Sequence, residues 1–177
     1  MPVQTSYGTT LTAAIEGALA DTGAHDCVTK YNAEASAAIS FGKAVKFGAT
    51  DHAALLPSAE TDKVCGIVVH SNQYSTGENG ELKQDGTAWT NGLRPGAEMT
   101  ILRKGRIWAV ARTAVTPGDR LWVRAVSAQS GHEFLGGLED ADDSTDTIDC
   151  TAQGVWLTTA AQGGLAILEV DFTNKPA

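Results

Sequence analysis

Cys65 and His70 come closest in this sequence to a nucleophile with its base, five residues apart in a β-branched run. An odd separation on a strand puts the two on opposite faces, so they cannot share a proton, and Cys65 reads as a buried structural thiol. The other histidines, His25, His52 and His132, are scattered, and neither HExxH nor GxSxG occurs. "DADDSTD" (140–146) sets Asp140, Asp142 and Ser144 at positions 1, 3 and 5 of a calcium loop. The match then fails, with Thr145 where the turn glycine belongs and Thr151 where the bidentate glutamate belongs. The expectation is a solvated acidic loop, with no metal, no cofactor and no catalytic residue. A hydrolase built on the acids of 133–149 lacks any partner motif.

The residues with the most to offer are arginines and tryptophans. "RIWAVAR" (106–112) puts Arg106, Trp108, Val110 and Arg112 on one side of a strand and Ile107, Ala109 and Ala111 on the other. "RLWVRA" (120–125) repeats the arrangement, Arg120, Trp122 and Arg124 opposite Leu121, Val123 and Ala125. The small aliphatic side is the expected interior. The Arg/Trp side is either a rim where arginine stems snorkel to water or an interface, since both types are enriched at hot spots. Sugar stacking on Trp89, Trp108, Trp122 or Trp156 is a further alternative.

The elements that would position these faces are short strands. "GKAVKFGA" (42–49), "KVCGIVVHS" (63–71), "MTILR" (99–103), 106–112, 120–125, "GVWLT" (154–158) and "LAILEVDF" (165–172) are rich in strand formers. Lys104-Gly105, Pro117-Gly118-Asp119 and Gln162-Gly163-Gly164 supply turn signals between them. No helix-period run of length follows residue 36, so the body, 37–177, is expected to be all-β. Within it, Gly42-x-x-Val45-x-Phe47 before Gly66-Ile67-Val68-Val69 is echoed by Gly118-x-x-Leu121-x-Val123 before Gly154-Val155-Trp156-Leu157. The second spacing is longer by the length of the acidic stretch, which therefore reads as a dispensable insertion at 139–149. Long connections at 71–95 and 131–150 are candidate contact surfaces. Residues 1–36 read as an N-terminal arm. Leu11, Ile15 and Leu19 at i, i+4, i+8 predict one short helix over 9–23, which needs a partner surface to be ordered.

Composition bounds the partners. The net charge is −8, and residues 133–149 hold seven acids with no Lys or Arg, so the rest is within one charge of neutral. No basic footprint for nucleic acid exists. Three cysteines without CxxC spacing suit reduced thiols. No apolar run long enough to cross a bilayer and no signal peptide is present, so synthesis as a soluble cytosolic chain is expected.

Taken in order, "VQTSYG", "FGKAVKFG", "GIVVHS", "ILRKGRIWA", "PGDRLWVR" and "GGLAILEV" resemble the structural cement proteins of tailed-bacteriophage capsids, from residue 3 to about 170. The resemblance implies a compact β-barrel or jelly-roll-like body with an extended arm, on the outer surface of the virion. It implies a decoration protein that binds the major capsid protein lattice and stabilises the mature head, assembled as a homo-oligomer, a trimer before a dimer. On this reading Tyr7, Leu11, Ile15 and Leu19 of the arm, with Trp108, Arg112, Trp122 and Arg124, form the capsid or protomer interface. The alternative is a carbohydrate-binding β-module of a phage adhesion protein.

Overall fold

The computed structural model describes residues 14–71, 92–126 and 134–173. Ten strands run in chain order: β1 (Asp26–Asn32), β2 (Ala44–Phe47), β3 (Ala53–Leu55), β4 (Val64–Val68), β5 (Glu98–Val110), β6 (Trp122–Arg124), β7 (Leu138–Glu139), β8 (Thr147–Asp149), β9 (Gly154–Trp156) and β10 (Leu165–Asp171). The described residues contain no α-helix, only a 3-10 turn at Ser144–Asp146.

Two small barrels share one strand. The first closes in the order β1-β3-β2-β4-β5, with β5 returning to β1 through Cys27↔Leu102 to Tyr31↔Glu98. Its interior is filled by Ile39, Val45, Cys65, Val68, Met99 and Ile101. The second begins with the other half of β5, which pairs with β10 from Lys104↔Asp171 to Val110↔Leu165. It continues through β9, β6 and β7 and returns to Ala111 by a parallel bridge to Leu138. Gly105, at φ +134, sits where β5 passes from one barrel to the other. A side chain there would meet the His25 Cβ at 3.0 Å and would be strained in φ besides. Lys104-Gly105 is thus not the turn its sequence suggests but the middle of a 13-residue strand.

The sequence echo is a structural repeat. Val45 is paired with Gly66, and Leu121 donates its N–H to the Gly154 carbonyl (3.2 Å). Gly42 N–H reaches the Val68 carbonyl (2.8 Å) as Gly118 N–H reaches that of Trp156 (2.9 Å). The bridge Ile39↔Leu93 matches Val115↔Ala160, and Gly96 (φ +79) matches Gly163 (φ +78). Registers agree as well: Lys46↔Leu55 corresponds to Trp122↔Glu139, and Val68↔Ile101 to Trp156↔Leu168.

Expectations for the N-terminal segment and the acidic stretch change. The 14–23 part of the predicted helix is a turn at Glu16–Gly17 followed by a bridge from Leu19 to Ile107, because a free β5 edge satisfies these backbone groups better than an isolated turn of helix. Residues 9–13 lie outside the described residues, as do Tyr7 and Leu11. β1, which lies before residue 36, pairs with β5 and closes the first barrel. The acidic stretch is not an insertion at 139–149. Lys46 to Leu55 spans nine positions and Trp122 to Glu139 seventeen, so most of the extra length precedes β7, and Glu139 itself is 1% exposed.

Candidate interaction surface

The interior sides of both Arg/Trp strands are as the alternation requires: Ile107, Ala109, Ala111, Leu121, Val123 and Ala125 are all fully buried. The opposite sides do not form one face. Arg106 is held by Glu169 (2.6 Å) and Asp21 (3.2 Å) at the surface, and Trp108 is half-buried beside the N-terminal segment. Trp122 is half-buried on β6, while Arg124, two residues on, is 0% exposed.

Arg124 is buried because its charge is matched. Its Nε and Nη2 form a fork to Glu139 Oε1 (3.0 Å) and Oε2 (2.8 Å), and Nη1 reaches Asp143 Oδ2 (2.7 Å). The acidic stretch therefore folds over β6 as the counter-charge of one arginine. Asp142 Oδ1 accepts from the Thr147 hydroxyl (3.1 Å), and the Asp140 N–H donates to Thr113 Oγ1 (3.0 Å). The loop that resembles a calcium site is thus tied to its own protein. Arg124 has no donor left at the surface for another molecule.

Arg112 takes part in a different cluster, at the seam between the barrels. Glu16 Oε1 lies between Lys43 Nζ (3.6 Å) and Arg112 Nη2 (3.5 Å). The Phe134 ring covers both cations, 4.9 Å from Lys43 Nζ and 4.2 Å from the Arg112 guanidinium carbon. Gly17, at φ +84, lets the chain turn here, where a Cβ would come within 2.9 Å of the Gly42 nitrogen. Glu16 is so placed that the N-terminal segment is clasped to β2 and to the end of β5 together. Phe134 (50% exposed) and Ile15 (46%) are the large apolar side chains left facing solvent around this clasp. Composition gives no hint of the clasp, because its three charges lie 27 and 69 residues apart along the chain.

The thiols and Lys43 set the alkaline behaviour. Cys65 is buried on β4, and the His70 ring packs at a tilt against Phe41, 4.8 Å between ring centres. Burial pushes the Cys65 thiol up to about 11 and Cys150 up to about 12, and lowers the Lys43 ammonium to about 8. Between about 8 and 10.5 the folded chain binds fewer protons at Lys43 than the unfolded one, so this contribution to stability rises with pH. Above 9 the unfolded thiols lose protons that the folded ones keep, so theirs falls. Unfolding free energy from urea titrations is therefore expected to rise from pH 8 to about 9 and then fall, with Cys150→Val flattening the fall. A steady decline from neutral pH, unchanged by that substitution, would contradict these burial assignments.

Trp156, one of the candidate sugar platforms, is 0% exposed and closes the second barrel's core, which removes it from that role. Trp89 lies outside the described residues.

The chain matches, at 15% identity and a TM-score of 0.65, a chain of "the capsid of Myoviridae Phage XM1", covering 97% of this chain and 98% of that one. The head fibre gp8.5 N base of bacteriophage phi29 aligns at 12% identity and a TM-score of 0.40, over 87% of this chain and 100% of that one. Comparison with curated proteins gives no match. A family model described as structural cement protein (E217 gp24/Pam3 gp6) matches residues 3–171, and over that span, which takes in both barrels and the N-terminal segment, the chain belongs to the structural cement protein family, a component of the virion capsid.

Proposed function

We propose that the chain binds the outer surface of the major capsid protein lattice as a homo-oligomer, a trimer before a dimer, and clamps neighbouring capsid subunits in the mature head. The observation that carries this reading is the family match from residue 3 to 171. The exposed apolar pair Ile15 and Phe134 supports it, since it flanks the point where residues 1–13 join the described chain. We assign the capsid or protomer contact to Tyr7, Leu11 and Ile15 of the N-terminal segment, with Leu19 and Trp108 seating that segment on β5, Arg112 paired with its Glu16, and Trp122 on β6. Arg124 is left out of the contact by its burial.

The test is decoration of capsids that lack the protein. Wild-type chain is expected to co-sediment with them and to raise the temperature at which DNA-filled heads rupture. Ile15→Asp combined with Phe134→Asp is expected to weaken co-sedimentation by at least about tenfold while the circular dichroism spectrum holds. Undiminished binding by the double variant moves the contact elsewhere on the surface. Binding of wild type to a glycan array but not to capsids would overturn the cement reading.

A further inference from the structure

The repeat exposes one seat that is filled in the second barrel and open in the first. In the second barrel, residues 17–20 add to the edge of β5 away from β10. Gly17 donates to the Trp108 carbonyl (2.8 Å), Trp108 to that of Ala18 (2.8 Å) and Ala20 to that of Arg106 (2.9 Å). Leu19 bridges Ile107 and packs on the core beneath. The first-barrel counterpart of that half of β5 is β1, because Val28↔Ile101 and Tyr31↔Glu98 correspond to Ile107↔Leu168 and Val110↔Leu165. Cys27, Val28 and Thr29 thus stand where Arg106, Ile107 and Trp108 stand.

The polarity of that edge follows from the ladder. The Thr100 carbonyl accepts from Val69 N–H (2.8 Å) on the β4 side, so Thr29↔Thr100 is the non-hydrogen-bonded pair. The N–H and C=O of Thr29 then face away from β5. On that outer edge β3 pairs only with Tyr31 and Asn32. Among the described residues no backbone group pairs with Cys27 or Thr29 there. Burial agrees: Ile107 is fully buried under Leu19, whereas Val28 is only half-buried and Thr29 is exposed.

We propose that the β1 edge at Cys27–Thr29 accepts an added strand, residues 3–11 of a second copy of this chain. Val3, Thr5, Tyr7, Thr9 and Leu11 alternate with Gln4, Ser6, Gly8 and Thr10, a strand pattern of β-branched and large residues on one face. This chain already fills the equivalent seat with its own residues 17–20. The thirteen residues before Ala14 reach about 40 Å when extended, enough to cross to a neighbour. The described chain begins near Gly17, whose carbonyl accepts from His70 N–H (2.8 Å) on the β4 side of β5, and the open edge lies on the opposite flank. Donor and seat are different surfaces, so two copies can exchange arms or three can pass them round a ring, and either closure deepens the homo-oligomer proposed above, on which this inference rests.

The test uses full-length chains carrying proline on one side of the contact. Thr29→Pro removes the outward N–H of the seat, and Thr5→Pro with Thr9→Pro removes donors from the strand. Sedimentation is expected to show wild type self-associating and each variant weakened at least about tenfold. A mixture of the two variants is expected to associate, one supplying strands and the other seats. Thr29 amide exchange in wild type is expected to slow on association, which reads the seat even where Thr29→Pro fails to fold. Wild type that stays monomeric, variants that associate normally, a mixture that stays apart, or a Thr29 amide already slow in the monomer would each overturn the strand exchange. Capsid co-sedimentation is read separately, so wild type that stays monomeric yet binds capsids sinks this inference and spares the cement function, whereas wild type that self-associates but does not bind capsids sinks the cement function and spares this inference.

Discussion

Trp156→Ala is expected to destabilise the protein by about 3–5 kcal/mol, enough to lower the melting temperature by roughly 10 °C. The ring is fully buried in the second barrel, among side chains that cannot all move inward to fill the space. Its Nε1–H is buried without a hydrogen-bond partner among the described residues, so the indole contributes volume rather than a bond. Trp156→Phe is accordingly expected to cost much less than alanine, because it removes that unmet donor while keeping most of the ring. The repeat adds a sharper form of the same test. Where the second barrel has Trp156 with Ala166, the first has Val68 with Met99, a large–small pair exchanged for a medium–large one. Ala166→Met alone should overpack and cost about 1–3 kcal/mol. Added to Trp156→Val it should recover stability that Trp156→Val loses. Urea melts of the three variants measure this. If Ala166→Met worsens Trp156→Val by its full single-variant cost, the barrels do not share a packing scheme.

That repeat is partly legible in the sequence, because its glycines and apolar positions are fixed by backbone geometry. Gly42 and Gly118 adopt positive φ, and Gly66 has the Leu102 carbonyl 2.4 Å from where a Cβ would sit. Such positions keep their residue type, so the spacing survives in the sequence. The interior sides of β5 and β6 are legible for the same reason, through strict alternation. β1 is not, since "DCVTKYN" places a lysine where the strand turns inward. Lys30 is nonetheless buried, its ammonium bonded to the Asp51 carbonyl and lying 5.3 Å over the Phe47 ring. The apparent Leu11–Ile15–Leu19 helix illustrates a different limit. Helical periodicity describes a local preference, and the edge of β5, some ninety residues away, decides the conformation of 17–20. The candidate contact residues divide for a related reason. Alternation places Trp122 and Arg124 on one side of β6, but nothing in it reveals that the second is drawn inward by a two-pronged fork to Glu139.

Arg124→Met is expected to cost about 3–5 kcal/mol, because it leaves Glu139, 1% exposed, without its guanidinium partner. The protein cannot relieve this by rehydrating the carboxylate without opening the β6–β7 pair, in which Trp122↔Glu139 is a register contact. Arg124→Lys is expected to fall between, since an ammonium cannot reproduce the two-pronged fork to both Glu139 oxygens. Removing both charges should be far milder than removing one. In Arg124→Met/Glu139→Leu no buried ion remains, and Asp143 (side chain 45% exposed) and Asp146 (21%) can turn to water. A double-mutant cycle by urea denaturation is expected to give a coupling of at least about 2 kcal/mol. A cost under about 1 kcal/mol for Arg124→Met would mean that the fork is open to solvent. The outcome also bears on capsid attachment. If the coupling is found, Glu139 and Asp143 are held by one arginine, and a basic capsid patch would have to break a buried ion pair to engage them. High salt would then weaken capsid binding only modestly, leaving the apolar Ile15 and Phe134 surface as the place where attachment is won or lost.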